Sequence, residues 1–408
     1  MRYALIGKSV SKSLSPLIHL LVGKEYSLLD VPGEDGLGTA LSSDLDGFNV
    51  TMPYKKSIIP YLNEVFGFAK NCGVVNVVAK RDKKLVGYNT DFYGLEYMIG
   101  REGVSLKDKD VLILGGGATK DTAACLCRKK GARSVNFVSR SGEINYRNCY
   151  DLKGVRIIIN ATPVGSAGCA DKKLISLDRF AGLEAYFDCV YDPCFTPMLI
   201  EAGRLGIKRC GGLAMLVEQA LSSIDVWERS EHMQSLTDEI FGKVWDKTVN
   251  IVLVGMPSCG KTTVGTEIAK RTEKEFVDVD DLVEKEEGLA AGEIIKIKGE
   301  DYFRAAEKKA IKNLENTRGV VIATGGGAVK DGENVASLKA NGVIFYIKRD
   351  LKLLSATGRP ITEKVGAEEL FAERERYYKE AASFEVDNDS SPEECAKKVV
   401  KLYEDRRY

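Results

Sequence analysis

The sequence predicts an α/β protein built from strand–loop–helix units, and three stretches carry that expectation. Asn250–Val254 is an apolar run leading into Gly255-Met256-Pro257-Ser258-Cys259-Gly260-Lys261-Thr262 and then a helical pattern over residues 263–272. Asp110–Leu114 leads in the same way through Gly115-Gly116-Gly117-Ala118-Thr119 into a helix over about 120–130. Residues 3–7 open the chain as a strand that runs into a serine-rich loop and a short helix, 17–21, with Pro16 in its first turn. Strands alternating with helices wind sheets whose loops gather ligands at one edge.

At 408 residues the chain is too long for one ordinary core, and two or three domains are expected. A hydrophobic share of 44% and a charged share of 29% are those of a soluble globular protein. The formal net charge is zero, which argues against nucleic acid or an anionic membrane as partner, since either needs a basic surface. No apolar run approaches a membrane span, and the first residues read as a strand rather than a signal peptide. The ten cysteines form no C-x-x-C pair, so they read as reduced thiols, mostly core fillers, and the expected location is cytoplasmic. With only His19 and His232 present, no histidine-based metal site is expected.

In the first hundred residues the loop after the first strand carries Ser9, Ser11, Ser13 and Ser15. Hydroxyls at a strand's C-terminal end either bind a polyhydroxylated ligand or, in the case of Ser15, cap the following helix. Asn49-Val50-Thr51-Met52-Pro53-Tyr54-Lys55 then runs from apolar residues through a proline turn to a lysine. The run Gly73-Val74-Val75-Asn76-Val77-Val78 reads as a strand broken by Asn76, whose amide needs an internal partner or a ligand. Asn89-Thr90-Asp91 follows; a lysine and an aspartate from different loops can share a proton across a substrate hydroxyl.

Ser13-Leu14-Ser15-Pro16, the Asn49–Lys55 segment, Asn76 and Asn89-Thr90-Asp91 together resemble the substrate lobe of shikimate dehydrogenases. The resemblance implies that Ser13, Ser15, Thr51, Asn76 and Asp91 bind shikimate, and that Lys55 with Asp91 handles the proton of the reacting hydroxyl.

The second unit, with its glycine turn at Gly115, Gly116 and Gly117, has the order a pyrophosphate site requires, although G-x-G-x-x-G is incomplete. Where an NAD enzyme places an acid for the ribose hydroxyls, the chain has Ser139-Arg140-Ser141, which suits the 2′-phosphate of NADP. The similarity to shikimate dehydrogenases continues through Asn160-Ala161-Thr162-Pro163, Asp188-Cys189-Val190-Tyr191-Asp192-Pro193 and Gly211-Gly212-Leu213-Ala214-Met215-Leu216-Val217-Glu218-Gln219. It implies that Gly115 to Thr119, Ser139 and Arg140 hold NADP(H). It also puts Val190, Gly212 and Met215 by the nicotinamide, and Tyr191 and Gln219 on the substrate. Ala118 stands where the family usually has a glycine. A helix over 213–227 should cross back and close the cleft, and residues 228–247 read as charged and helical, with no Gly/Ser linker.

The third unit matches G-x-x-x-x-G-K-[ST], the phosphate-binding P-loop. Its glycines let successive N–H groups face one concavity, Lys261 reaches phosphate oxygens as a point charge, and Thr262 offers a hydroxyl to Mg²⁺. Phe276-Val277-Asp278-Val279-Asp280 reads as a strand with both acids on one face, one for Mg²⁺ and the other for an acceptor hydroxyl. Gly325, Gly326 and Gly327 leave N–H groups free for a polar ligand, and Arg304, Arg359 and Arg374 are single arginines that each read alone as surface charges.

Together these features resemble shikimate kinase, a P-loop fold of the nucleoside-monophosphate-kinase kind. The resemblance implies ATP on Gly255, Ser258, Cys259, Gly260, Lys261, Thr262 and Thr263, and Mg²⁺ on Thr262 and Asp278. It implies shikimate on Asp280, Arg304, Gly325 to Gly327 and Arg374, and Arg359 on a lid at 357–365 beside the transferring phosphoryl group. The expected organisation is a substrate lobe at 1–100 completed by return helices at about 219–245, an NADP-binding Rossmann lobe at 101–218, and a kinase domain at 248–408. The expected activity is reduction of 3-dehydroshikimate by NADPH, then phosphorylation of shikimate by ATP. One rival is an NAD-linked quinate/shikimate dehydrogenase fused to another metabolite kinase; Arg140 speaks against it. Another is an inactive sensor, which should have lost Lys55, Asp91, Lys261 or Asp280.

Overall fold

The computed structural model describes residues 1–166, 172–354, 361 and 365–406. The chain divides into two compact units, Met1–Val244 and Trp245–Tyr408, with the division inside the helix Thr237–Thr248. Among the described residues no helix is long and apolar enough to cross a membrane.

The first unit contains two sheets. The first is built from β1 (Arg2–Gly7), β2 (Glu25–Asp30), β3 (Gly47–Val50), β4 (Glu64–Val65), β5 (Val77–Arg81) and β6 (Lys84–Tyr88), in the order β2-β1-β3-β5-β6-β4. Only β5 runs antiparallel to its neighbours. Alternation puts Ala4 and Ile6, Phe48 and Val50 on one face, where they pack with Leu37, Leu41 and Val78. Asn76 does not interrupt a strand, as the sequence suggested. It sits in a bend just before β5, although its carbonyl still accepts from Val50 N–H.

The second sheet is wholly parallel: β7 (Asp110–Leu114), β8 (Ser134–Val138), β9 (Val155–Asn160), β10 (Ala185–Asp188) and β11 (Lys208–Cys210), in the order β11-β10-β9-β7-β8. This is a doubly wound arrangement in which the chain reverses its winding between β7 and β9, and ligands bind at such a point. Gly115 ends β7 there with φ of +123°, and a Cβ on it would lie 3.1 Å from the Ala161 carbonyl after β9. Only glycine lets these two loops approach so closely.

Helix Gly212–Glu228 returns against helix Asp91–Gly100 and is buried along nearly its whole length. At the crossing a Cβ on Gly94 would stand 2.5 Å from the Met215 carbonyl. Gly94→Val is therefore expected to lower the stability of the first unit by about 1–3 kcal/mol, because two backbones must separate to admit the side chain. Thermal unfolding followed by dehydrogenase activity checks this, and the kinase should be unaffected.

The second unit holds β12 (Asn250–Val254), β13 (Phe276–Asp278), β14 (Val321–Ala323), β15 (Gly342–Lys348) and β16 (Phe384–Asp387). All are parallel, in the order β13-β14-β12-β15-β16. The central β12 is buried throughout, which is why it reads as an unbroken apolar run. The P-loop leaves its C-terminal end, between the loops that follow β14 and β15.

Candidate active sites

In the first unit, four residues expected to meet substrate lie in one hydrogen-bonded cluster. Lys55 Nζ donates to Asp91 Oδ2 at 2.6 Å, and both side chains are largely withdrawn from solvent. Asn76 Nδ2 donates to Asp91 Oδ1 and Thr90 Oγ1, both at 3.0 Å, and reaches Gln219 Oε1 at 3.4 Å. Asn76 Oδ1 in turn accepts from Thr90 N–H at 2.7 Å. The amide thus aims one oxygen of Asp91, while Lys55 occupies the other. Gln219 reaches the cluster because the return helix packs on the helix that begins at Asp91.

A second group lies at the serine loop. Ser13 Oγ donates to Ser15 Oγ at 3.1 Å and accepts from Ser15 N–H, so Ser15 does not cap its helix. Helix Ser15–Leu21 already includes Ser15, and its cap residue is Leu14. Ser13 also hydrogen-bonds Tyr191, whose hydroxyl pKa burial raises. Thr51 packs against the start of that loop: a Cβ on Gly7 would meet its methyl at 2.3 Å.

The turn expected to receive the cofactor, Gly115, Gly116 and Gly117, precedes helix Ala118–Lys129. A Cβ on Gly116 or Gly117 would meet nothing within 4 Å, so the protein's own packing does not demand glycine there. Open space over a helix N-terminus at a sheet's reversal point fits a pyrophosphate. Thr119 lies in the helix's first turn, and Ser139 and exposed Arg140 follow β8, the strand beside β7. Gly212 N–H donates to the Val190 carbonyl at 3.0 Å, and a Cβ on Gly212 would strike the Cys189 carbonyl, so these residues form a tight wall.

Two residues of this unit escaped sequence reasoning. Cys189 adjoins Val190; burial, then Asp188 and Asp91, push its thiol pKa up, while Lys55 opposes them. Asp188 is buried and accepts from Tyr186 and Thr196 hydroxyls at 2.7 Å, Asn160 Nδ2 at 2.9 Å and Val190 N–H at 3.0 Å. It ties β9, β10 and the following loop together. The signal was an acid ending an otherwise apolar strand.

In the second unit a cleft of about 280 Å³ is lined by Lys261, Thr262, Asp278, Asp280, Gly326 and Arg349, with Ser258, Gly260 and Thr263 along its P-loop wall. Lys261 is buried and folds back on the loop, donating to the Gly255 and Met256 carbonyls at 2.9 and 3.0 Å, with Cys259 Sγ at 3.9 Å. Thr262 Oγ1 donates to Asp278 Oδ2 at 2.8 Å. Among the described residues no three His, Cys, Asp or Glu side chains could jointly hold a metal. Thr262 and Asp278 nevertheless fit Mg²⁺, which takes one or two protein oxygens and completes its shell with water and phosphate.

Asp280 is not on the strand with Asp278, contrary to the alternation expected. β13 ends at Asp278, which caps helix Val279–Glu287 by accepting from Asp280 N–H at 3.0 Å. Aspartate at that position favours the helix start over strand continuation. Asp280 faces the cleft from the first helical turn. Burial, then Glu307 and Asp278, push its pKa up to about 6, and its Oδ1 is buried without a hydrogen bond.

Glu307 was not anticipated. It is fully buried, takes a 2.7 Å bond from Arg304 Nη1, and lies three residues beyond Arg304 on one face of helix Glu300–Asn313. That spacing was the available signal. Gly325, Gly326 and Gly327, expected to free N–H groups, also answer a steric demand. A Cβ on Gly325 would stand 2.2 Å from Glu307 Oε1 and 2.8 Å from Asp280 Oδ1. One on Gly326 would strike Pro257, and one on Gly327 would lie 2.5 Å from Arg304 Cζ. The glycines let the charged groups lie against the loop. Arg374 is buried beneath, and its Nε makes no hydrogen bond. Arg359 and most of the lid expected at 357–365 lie outside the described residues.

A doubly wound lobe with a substrate lobe before it and a P-loop unit after it defines a two-module enzyme of reduction and phosphoryl transfer. Residues 5–78 match the family model for the shikimate dehydrogenase substrate binding domain, and residues 257–404 match that for shikimate kinase. The NADP(+) shikimate dehydrogenase of Staphylococcus epidermidis is 37% identical over 254 residues, covering 57% of this chain and 93% of that protein. The crystal structure of shikimate dehydrogenase 1 from Peptoclostridium difficile matches with a TM-score of 0.56 at 30% identity, over 60% of this chain and 98% of that one. A chorismate mutase/shikimate 5-dehydrogenase fusion protein from Clostridium acetobutylicum matches with a TM-score of 0.57 at 29% identity, over 59% and 96%. The chain belongs to the shikimate dehydrogenase family, and behind that module it carries a shikimate kinase domain.

Proposed function

We propose that this enzyme reduces 3-dehydroshikimate to shikimate with NADPH and then phosphorylates shikimate with ATP and Mg²⁺, two consecutive steps of aromatic biosynthesis. The carrying observation is that one chain joins modules matched to two families that share shikimate as product and substrate.

In the first module NADPH, when bound, supplies a hydride to the substrate carbonyl. Lys55 Nζ gives the proton to the oxygen that becomes the hydroxyl, and Asp91 holds Lys55 in place through the 2.6 Å contact. Asn76 and Gln219 orient Asp91 and the ring hydroxyls, while Ser13, Ser15, Tyr191 and Thr51 bind the acid end. Gly115 to Thr119 receive the pyrophosphate and Ser139 with Arg140 the 2′-phosphate. Val190, Gly212 and Met215 shape the nicotinamide wall.

In the second module Arg304 and Arg374 take the substrate carboxylate. Arg374 is already desolvated, with an Nε that makes no hydrogen bond and only a 3.9 Å ion pair to Glu373, so a substrate carboxylate would compensate its burial further. Asp280 orients the attacking hydroxyl and accepts its proton, and Glu307 sets Arg304. Gly255, Ser258 to Gly260 and Thr263 cradle the phosphates. Lys261 exchanges its two carbonyl partners for phosphate oxygens, while Thr262 and Asp278 are the oxygens offered to Mg²⁺. Arg359 is assigned to the transferring phosphoryl group.

Pure protein incubated with 3-dehydroshikimate, NADPH and ATP-Mg²⁺ is expected to yield NADP⁺, ADP and shikimate 3-phosphate, identified by mass spectrometry. Accumulation of shikimate with no phosphorylated product would refute the kinase half; no loss of NADPH would refute the other.

A further inference from the structure

Sheet order divides the kinase cleft into two flanks. Asp278 ends β13 and Thr324 follows β14, both on one side of β12. Asp280, Arg304 and Glu307 gather on that side around Gly325 and Gly327. Arg349 follows β15 and Asn388 follows β16, on the other side. Neither was singled out from the sequence.

Both reach the last glycine of the P-loop. A Cβ on Gly260 would lie 2.5 Å from Asn388 Nδ2 and 3.9 Å from Arg349 Nη1. Asn388 Nδ2 donates to the Cys259 carbonyl at 2.8 Å, which pins the loop to β16. Arg349 lines the cleft with Ser258, Gly260 and Thr263. Its Nε is buried without a hydrogen bond, and among the described residues it makes no ion pair. A half-buried guanidinium with no counter-charge, set over a loop of inward N–H groups, lacks the anion its desolvation calls for. Its fork matches phosphate oxygens in pairs. Its flank excludes the acceptor acid, whose arginines lie across the P-loop.

We propose that Arg349 is a nucleotide-binding residue of the kinase. It grips the phosphate chain on the flank opposite Asp280, and Asn388 positions the loop beneath it. The assignment rests on the kinase reading above.

The test is ADP binding to the full chain by calorimetry, with inorganic tripolyphosphate as a competitor of ATP in shikimate phosphorylation. Arg349→Ala is expected to weaken ADP binding and raise the tripolyphosphate inhibition constant, each roughly 10- to 100-fold. Arg349→Lys should recover part of both, and shikimate KM and NADP-dependent oxidation should stay as they were. Unchanged ADP affinity in a chain that still oxidises shikimate would overturn the assignment alone. So would weakened ADP binding with unchanged tripolyphosphate inhibition, because the contact would then be to the nucleoside. A parent chain that binds no ADP would instead overturn the kinase reading and this assignment with it.

Discussion

Replacing Lys55 by alanine is expected to lower kcat/KM for NADP-dependent shikimate oxidation by about 10²- to 10⁴-fold while ATP-dependent phosphorylation persists. Lys55 Nζ is 2.6 Å from Asp91, and its side chain is only 13% exposed, so water does not readily replace it as proton carrier. Asp91 remains held by Asn76, whose own amide oxygen is fixed by Thr90 N–H, so the site keeps its shape while losing its acid. NADPH binding, read by cofactor fluorescence, separates chemical loss from unfolding of the first unit. Lys261→Ala should give the reverse pattern, with phosphorylation lost by about 10²- to 10³-fold and oxidation retained. If either substitution removed both activities from a folded chain, two independent sites could not be the right account.

Phosphorylation is expected to fall on the acid side of neutrality because of Asp280. Its carboxyl is held up to about 6 by burial, then by Glu307 and Asp278, with Lys261 and Arg304 opposing. A group that must be ionised to accept a proton is almost fully competent at pH 8, and kcat/KM for shikimate should drop about tenfold per unit below about 6. Asp280→Asn should cost about 10²- to 10⁴-fold at pH 8 and abolish that limb. Stability should move the other way. A carboxyl whose folded pKa lies above its ordinary 3.8 favours the folded state when protonated, and that contribution is lost as pH rises through about 6. Asparagine carries no charge to desolvate, so the variant should melt higher than the parent at pH 8. A lower melting temperature together with an unchanged acid limb would remove Asp280 from the role of base.

Asp280 also illustrates what a sequence conceals. The residues Phe276 to Asp280 alternate apolar and acidic, and alternation alone says strand. The helix that begins at Val279 wins because Asp278 caps it. Both readings bring the acid to the same cleft, so its place was legible while the element was not. The same holds for Asn76, which meets Asp91 from a bend rather than a strand.

The sequence by itself determined the α/β class and the P-loop, and it singled out the glycine turn with Arg140, the Lys55 and Asp91 pair and Asp280 as candidates. The class, the P-loop and the glycine turn depend on residue types at short, fixed spacing, which the backbone turns directly into loops at strand ends. Only the tertiary structure decided what presses against Gly94 and Gly325 to Gly327, that Asp188 ties together the loops after β9 and β10, and that Arg349 stands over Gly260. Each of those depends on groups brought together by sheet order and helix crossing from distant parts of the chain. No local pattern encodes such an approach, because its distance is set by how whole elements pack.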